Sequence, residues 1–362
     1  MSKKSKDNGS NDLFEYALHD LNKEYGNIAY VLGEESPADL KTFIDTGSTP
    51  LNMIVSNRHD GGWPVGRIIE LSGLPGSGKS LLSDLAILNT QKMGGLGIIV
   101  DTENARSPDY LRVLGVDMEK LLYFQIDTIE EIFEVLEKMI NKIQITSPKK
   151  LITIVVDSIA AASTKEEMAK DFGQPTIALK ARLISQAMRK LGPVIGKLNV
   201  CLIFTNQLRE NIGVMFGDKF TTPGGKAIPF HSSIRIRLTP SGKIEEDKDV
   251  IAVGVNAKCV KNRIAPPFRK AHFTIYFNKG ISDVEDWSDI LVEKNVMSKR
   301  RGGRSGNIYS FSVDGEMIEI PSKEWSKTLM ADSELYRKVK HMTEEVMILN
   351  LADVTEEIEE TV

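Results

Sequence analysis

A glycine-rich turn between a strand and a helix is the feature that most restricts how this chain can fold. Its sequence is Gly73-Leu74-Pro75-Gly76-Ser77-Gly78-Lys79-Ser80, the pattern G-x-x-x-x-G-K-S, after a strand predicted at 67–72 and at the start of a helix predicted at 79–92. Glycines let backbone N–H groups turn inward around phosphate oxygens, and a helix N-terminus adds partial positive charge. The turn therefore predicts a nucleotide phosphate site, formed by Gly73, Gly76, Ser77, Gly78, Lys79 and Ser80. The alternative is a turn that binds nothing.

ATP and Mg²⁺ are the predicted cofactors of this turn. A lysine at the position of Lys79 reaches the β and γ phosphates, and a hydroxyl at the position of Ser80 ligates Mg²⁺. An almost wholly apolar strand predicted at 151–156 ends at Asp157, and a carboxylate at such a strand tip holds the water shell of the metal. Any buried strand can end in Asp, so Asp157 gains weight only beside the phosphate loop. Ser80 and Asp157 are the predicted metal ligands.

Two further polar residues follow predicted strands. Glu103 comes after the strand at 96–101, and Asn206-Gln207 comes after the strand at 200–205. The carboxyl ends of parallel strands meet at one edge, where a carboxylate can orient or deprotonate the attacking water. An amide there can sense the γ phosphate. For Glu103, a solvated loop acid is the alternative.

Strands and helices alternate along most of the chain and predict an α/β fold. The repeated βα units from 67 to 205 imply a largely parallel sheet covered by helices. Three strands without intervening helices, at 233–238, 250–260 and 268–277, predict antiparallel members at one end of the sheet. We expect a tail and an oligomerisation helix in residues 1–50, a core in 51–282, a small α/β domain in 283–342 and an acidic tail in 343–362.

The N-terminal part contains one short amphipathic helix, predicted to end before Gly26. Apolar residues repeat there at helical spacing, namely Leu13, Phe14, Ala17, Leu18, Leu21 and Tyr25. A helix this short is not stable alone, so it must dock on its own core or on a neighbouring subunit. Both alternatives stay open.

Composition sets broad limits on function. The chain has 362 residues, 41 % of them hydrophobic, enough for a full core with small appendages. No apolar run reaches the roughly 18 residues of a membrane helix, and residues 1–11 lack the apolar stretch of a signal peptide, so we expect a cytoplasmic protein. Cys201 and Cys259 lie in apolar runs and are expected to be buried thiols. The net charge of −4 means that any surface for a polyanion must be local.

Several segments, in order and spacing, resemble the RecA family of recombinases over roughly residues 13 to 341. The segments are Val100–Ala105, Val155–Ala161, Ser185–Leu191, Asn206-Gln207, Ile212–Gly217 and Lys261–Ala265. The resemblance implies a RecA-like P-loop NTPase core with an N-terminal helix that docks between protomers. It also implies a DNA-dependent ATPase that forms helical filaments on single-stranded DNA, pairs it with homologous duplex and catalyses strand exchange. Single-strand-binding and mediator proteins are the further partners implied.

The resemblance also assigns roles around the nucleotide. Glu103 is similar to the catalytic carboxylate, and Gln207 to the amide that links ATP state to DNA affinity. Tyr110 resembles the residue that stacks on adenine. Lys261 and Arg263 match two basic residues that reach the γ phosphate from the neighbouring subunit. Arginine instead of lysine at position 263 keeps the charge but changes the geometry of the hydrogen-bond donors. We expect this difference to affect the rate of ATP hydrolysis rather than its mechanism.

Two segments resemble mobile DNA-binding loops, about 168–177 and about 208–225. The second carries glycines that approach phosphates closely and apolar residues that can wedge into base stacks. An apolar loop packed on the core is the alternative. The predicted DNA-binding residues are Ile177, Arg182, Arg189, Arg209, Ile212, Gly213, Phe216, Gly224, Gly225 and Lys226. Arg182 and Arg189, seven residues apart on one helix face, are often only solvated charges in other proteins.

The duplex-receiving site departs from the family pattern. Thr239, Pro240 and Asn256 stand where relatives carry arginines, and Pro229 replaces a lysine at the subunit interface. A basic cluster around Arg300 could capture duplex electrostatically, or it is a solvated loop. A ring-forming helicase or motor with the same ATP core is the alternative function. A non-catalytic regulator is a third.

Overall fold

The structure is a computed structural model that describes residues 13–26, 28–31, 39–104, 106–169, 177–210, 220–302 and 306–350. Contacts divide the chain into two units, Met1–Lys41 and Thr42–Val362. In the first unit, a π-helical stretch, Tyr16–Leu21, continues into the α-helical turn Asn22–Tyr25. Gly26 follows with φ of 76°, so the helix ends where the sequence predicts. Its π-helical part was not predicted.

In the described part of the second unit, nine strands form the central sheet. In spatial order they are Gly280–Ile281, Lys270–Tyr276, Asp249–Asn262, Ile234–Glu246, Ile68–Gly73, Val200–Gln207, Ile152–Asp157, Leu96–Asp101 and Leu121–Gln125. The last six run parallel to one another, whereas the first three add antiparallel at one edge. This confirms the predicted α/β class and its largely parallel sheet.

Helices cover both faces of this sheet. One apolar cluster takes buried side chains from the helices Thr49–Ser56, Lys79–Lys92 and Pro108–Leu114. The other takes them from Ile129–Thr146, Ile177–Ile195 and Ala227–His231. Because both faces are buried, the central strands are nearly continuous apolar runs. The strand tips, where polar residues begin, are therefore the places where a site can open to solvent.

Shorter elements complete the core. They are the helix Lys165–Ala169, the 3₁₀ turn Met118–Lys120, the ribbon of Phe43–Ile44 with Trp63–Pro64, and the ribbon of Arg209–Glu210 with Phe220–Thr221. Cys201 and Cys259 are both buried free thiols, as expected. Burial raises the pKa of the Cys259 thiol to about 11. Neither thiol is therefore poised for redox chemistry.

A three-stranded antiparallel sheet and three helices form the C-terminal part. The strands are Ser298–Arg301, Asn307–Val313 and Glu316–Pro321, and the helices are Asp283–Glu293, Trp325–Ala331 and Ser333–Glu345. Trp287, Tyr309, Phe311 and Trp325 are the buried aromatic side chains in its own apolar core. Among the described residues, every helix is too short or too polar to cross a bilayer.

Candidate functional site

The phosphate loop begins at the tip of the strand Ile68–Gly73 and continues into the helix Lys79–Lys92. Gly78 has φ of 87°, and a side chain there would place its Cβ 2.4 Å from Cδ1 of Ile275. At Gly73, a Cβ would lie 2.3 Å from Oγ of Ser77 and 2.8 Å from the carbonyl of Leu238. At both positions the neighbouring atoms leave no room for a Cβ, so the loop needs glycine there.

Lys79 closes this loop upon itself. Its Nζ donates hydrogen bonds to the carbonyls of Gly73 and Leu74, both at 3.0 Å. Burial lowers the pKa of Lys79, whereas the charges of Asp157 and Glu103 raise it. The ammonium thus lies between the loop backbone and two carboxylates. Oγ of Ser77 is buried and has no hydrogen-bond partner among the residues that the structure describes.

Ser80, in the first turn of the helix Lys79–Lys92, lies next to Asp157 at the tip of the strand Ile152–Asp157. Oγ of Ser80 donates to Oδ2 of Asp157 at 2.8 Å, and Oγ1 of Thr205 hydrogen-bonds to Oδ1 of the same carboxylate. Hard hydroxyl and carboxylate oxygens, with no sulfur or imidazole, suit Mg²⁺. The donor set therefore fits the metal that accompanies a nucleotide phosphate. The peptide bond from Asp157 to Ser158 is cis.

Glu103, two residues after the strand Leu96–Asp101, is directly hydrogen-bonded to Gln207, which ends the strand Val200–Gln207. Nε2 of Gln207 donates to Oε1 of Glu103 at 3.2 Å, and Oγ of Ser158 donates to the same oxygen. The register brings them together because Asp101 pairs with Asp157, and Val156 of that middle strand pairs with Phe204 of the strand that ends at Gln207. The strand Val200–Gln207 extends two residues beyond its predicted end, so Gln207 is the last strand residue. Ser158 was not among the predicted site residues.

Behind this edge, a buried polar chain connects the sheet to the end of the second loop. Nδ2 of Asn206 donates to Oε1 of Glu70 at 3.0 Å and to the carbonyl of Pro223 at 3.2 Å. Glu70 in turn forms an ion pair with Arg235. Glu70 and Asn206 have no solvent exposure. A shift of the strand tip that moves Asn206 would therefore also move Pro223, through the hydrogen bond between them.

Tyr110 lies on the short helix Pro108–Leu114, which packs against the helix of the phosphate loop. It is half-buried beside the first apolar cluster, and burial raises the pKa of its hydroxyl. Arg106, just before this helix, is a second site residue that the sequence did not indicate. Its guanidinium lies 2.7 Å from Oδ2 of Asp157. An isolated arginine after a strand carries no motif, so no sequence signal marked it.

Lys261 and Arg263 lie away from the phosphate loop of their own chain. Lys261 pairs with Arg235 on the neighbouring strand, and Arg235 pairs with Glu70 on the next. Lys261 is therefore level with Glu70, which lies three residues, or about 10 Å along the strand, before Gly73. Nζ of Lys261 donates to the carbonyls of Pro229 and Phe230 at 2.8 and 2.7 Å. Burial and the neighbouring charge of Arg263 lower the pKa of Lys261 to about 8.

The described DNA candidates cluster on one helix and one loop end. Arg182 and Arg189 are exposed on the helix Ile177–Ile195, and Nη1 of Arg189 donates to Oγ of Ser185 at 3.2 Å. Gly224 and Gly225 lie directly over this helix, because Cβ atoms there would come within 3.0 Å of Ile184 and 2.9 Å of Ala181. Arg209 and Lys226 are also exposed, and they lie at the two ends of the predicted loop 208–225.

Other candidates fall outside the described residues. Ile212, Gly213 and Phe216 belong to the segment 211–219, the first loop to the segment 170–176, and the end of the acidic tail to 351–362. For Ile177 only the backbone is described, as the first residue of its helix.

The basic cluster near Arg300 begins on a strand, whereas the alternative reading of the sequence was a solvated loop. Lys299, Arg300 and Arg301 lie on the exposed edge strand Ser298–Arg301. Arg300 forms an ion pair with Glu319 at 2.8 Å, and Lys299 lies 4.0 Å from Asp289. Exposed pairs of this kind contribute little to stability, so both cations stay accessible to a polyanion.

The parallel sheet and its phosphate loop define a P-loop nucleotide-binding protein. A family model described as the RecA N-terminal domain matches residues 12–282. Protein RecA of Heliobacterium modesticaldum is 38 % identical over 309 residues, which cover 84 % of this chain and 85 % of that protein. Protein RecA of Thermus aquaticus is 40 % identical over 286 residues, which cover 79 % and 82 %. The chain belongs to the RecA family of recombination and repair proteins, whose members are DNA-dependent ATPases.

Proposed function

We propose that this chain is a cytoplasmic DNA-dependent ATPase. With ATP and Mg²⁺ it forms helical filaments on single-stranded DNA, pairs the strand with homologous duplex and catalyses strand exchange. Ser80 and Asp157 would hold the metal, which neutralises phosphate charge when bound. Lys79 would bind the β and γ phosphates, and Tyr110 would pack on adenine.

The observation that carries this proposal is the hydrogen bond between Gln207 and Glu103. Glu103 would orient the attacking water and accept its proton. Gln207 is the last residue of a strand that leads into the loop 208–225. A γ phosphate that draws the Gln207 amide away from Glu103 would free the carboxylate and pull on the start of that loop. The same contact thus joins hydrolysis to the grip on DNA.

The position of Lys261 and Arg263 supports an active site shared between subunits. Both bind carbonyls of Pro229 or Phe230, and the strand register places Lys261 level with Glu70, three residues before Gly73 of their own phosphate loop. A phosphate from a second copy can replace these carbonyls, since a partly buried ammonium and a guanidinium both gain from a charged acceptor. The apolar residues of the N-terminal helix are exposed and suit the same assembly, among them Leu13, Phe14 and Tyr16.

Mixed subunits test the shared site. Lys79→Ala removes the phosphate-loop cation, whereas Lys261→Ala with Arg263→Ala removes the pair that reaches across. Each variant alone should lose ATP hydrolysis stimulated by single-stranded DNA. In an equal mixture, about a quarter of the head-to-tail interfaces combine an intact phosphate loop with an intact pair, so activity should return. Hydrolysis is measured by phosphate release, with each variant alone at the same total concentration as the control.

No recovery in the mixture would contradict a site shared between subunits. Electron microscopy with single-stranded DNA and a non-hydrolysable ATP analogue tests the assembly itself. Helical filaments are expected, and closed rings would favour the helicase or motor instead. Equal affinity for single-stranded DNA with ATP, with ADP and without nucleotide would contradict the coupling through Gln207.

A further inference from the structure

Arg106 places a buried guanidinium beside the residues that would hold the metal. Its Nη2 donates to Oδ2 of Asp157 at 2.7 Å, the same oxygen that accepts a hydrogen bond from Ser80. The Arg106 side chain is only 6 % exposed. A carboxylate oxygen that could face a divalent cation is thus already compensated by a cation of the protein itself.

Further contacts fix this guanidinium in place. It forms an ion pair with Asp84, which is also buried, and donates to Oγ of Ser83 at 3.0 Å. Its backbone N–H donates to Oδ2 of Asp101 at 3.3 Å. The contacts therefore join three elements, namely the helix Lys79–Lys92 and the tips of two neighbouring strands. An arginine held at so many points cannot swing away as a surface side chain does.

The charges explain what such an arginine does to the metal. Free Mg²⁺ keeps its water shell tightly and binds protein sites through few carboxylates, with substrate phosphates completing its ligands. A positive charge beside Asp157 reduces the attraction of that carboxylate for a metal ion. A nucleotide restores the attraction, because its phosphates bring several negative charges.

We propose that Arg106 is a positioning residue that makes metal binding conditional on nucleotide. It orients the Asp157 carboxylate toward Ser80 and lowers the affinity of this pair for a free divalent ion, so that the metal enters with the nucleotide. This inference rests on the proposed ATP and Mg²⁺ site.

Titration of the full-length protein with Mn²⁺, without nucleotide or DNA, tests the inference. Calorimetry or the electron paramagnetic resonance signal of free Mn²⁺ reports binding. Arg106→Gln should bind Mn²⁺ about ten-fold or more tightly than the wild type, as expected for deletion of one charge beside a carboxylate. Arg106→Lys keeps the charge and should stay near the wild type.

Asp84 offers a matched control for folding. Arg106→Gln leaves Asp84 buried without its partner, so this variant is destabilised. The double variant Arg106→Gln with Asp84→Asn removes the buried pair as a unit and should bind Mn²⁺ with an affinity between the wild type and Arg106→Gln. Asp84→Asn alone leaves Arg106 to Asp157 and should bind no tighter than the wild type. Circular dichroism establishes which variants are folded.

If the double variant Arg106→Gln with Asp84→Asn is folded and binds Mn²⁺ with wild-type affinity, the inference is overturned. Arg106 would then be a purely structural partner of Asp84. The two proposals fail separately. If the wild type does not bind ATP with Mg²⁺, the proposed function fails whatever the nucleotide-free titration shows.

Discussion

At the scale of single residues, Gly78 shows how the phosphate loop depends on a missing side chain. Gly78→Ala should destabilise the fold in two ways. A φ of 87° costs about 1 kcal/mol for a residue with a Cβ. Contact with Ile275 at 2.4 Å adds roughly 1–3 kcal/mol of overpacking. Chemical denaturation measures the loss, and binding of a fluorescent nucleotide should weaken together with it.

Gly76→Ala is the matched control for that prediction. Gly76 also has positive φ, 69°, but a Cβ there meets no atom within 4 Å. It should therefore show only the conformational cost, about 1 kcal/mol. Equal losses at the two positions would contradict the role given to Ile275.

Arg106 and Ser158 show what residue patterns could not indicate about the site. The phosphate loop was predictable because its glycines and Lys79 act through local backbone geometry. Arg106 acts through Asp84 and Asp157, which are distant in sequence, so the pattern contains no sign of the contact. Glu103 was placed at the correct sheet edge, but its bond to Gln207 depends on strand order. The strand tips of Glu103 and Gln207 flank the strand Ile152–Asp157.

At the scale of elements, apolar periodicity located the buried strands and helices well. The strand Leu96–Asp101 and the helix Lys79–Lys92 have the predicted bounds. The hairpin of Ile234–Glu246 with Asp249–Asn262 is longer than predicted, since the sequence placed the first strand's end at Leu238. Residues 239–246 are exposed, so backbone pairing rather than burial holds them as strand. No hydrophobic pattern marks such a segment.

The helix Asp283–Glu293 carries a buried carboxyl that should make stability depend on pH. Burial, followed by the charge of Asp283, raises the pKa of Asp286 to about 8. A raised carboxyl pKa means that the folded state keeps a proton that the unfolded state loses. Stability from this group is present below about pH 4 and is lost as the pH rises to about 8. Asp286→Asn should remove this loss, so the variant gains stability over the wild type across that window.

Urea denaturation at several pH values measures this difference. The exposed Asp289 lies on the same helix, and its charge is among the smaller effects that raise the pKa of Asp286, so Asp289→Asn should change the pH profile much less than Asp286→Asn does. Parallel pH profiles for the wild type and Asp286→Asn would show that Asp286 is not the responsible group.

At the scale of the whole molecule, His59 connects the core of the nine-stranded sheet to the last helix that the structure describes, Ser333–Glu345. Its Nδ1 lies 3.0 Å from Oε2 of Glu344, and its Nε2 lies 2.7 Å from Oε1 of Glu345. A neutral imidazole has one N–H, so both contacts are hydrogen bonds only when His59 is protonated. The hydrogen bond to Glu344 is the largest of the effects that raise the pKa of His59.

The groups around His59 include both signs of charge. Asp60, the next residue along the chain, forms an ion pair with Lys340, with 3.3 Å between Oδ1 and Nζ. The ring of His341 stacks on the ring of His59, with 4.5 Å between the ring centroids. Arg269 and Asn57 hold the chain just after the helix, through the carbonyls of Met347 and Leu349. A guanidinium, an amide and backbone carbonyls keep their protonation state near neutral pH. These last contacts therefore contribute to docking equally at every pH in this range.

Docking of the last helix should therefore weaken as the pH rises. The pKa of His59 is raised above its ordinary value of 6.5, so the stabilising contacts are complete below that pH and are lost as the pH rises through the folded-state pKa. Hydrogen exchange of residues 333–345, corrected for intrinsic rates, should show less protection at about pH 9 than at about pH 6. His59→Gln keeps an amide donor but does not titrate, so its protection should not change. Equal protection of the wild type at both pH values would mean that the contacts at Met347 and Leu349 hold the helix without His59.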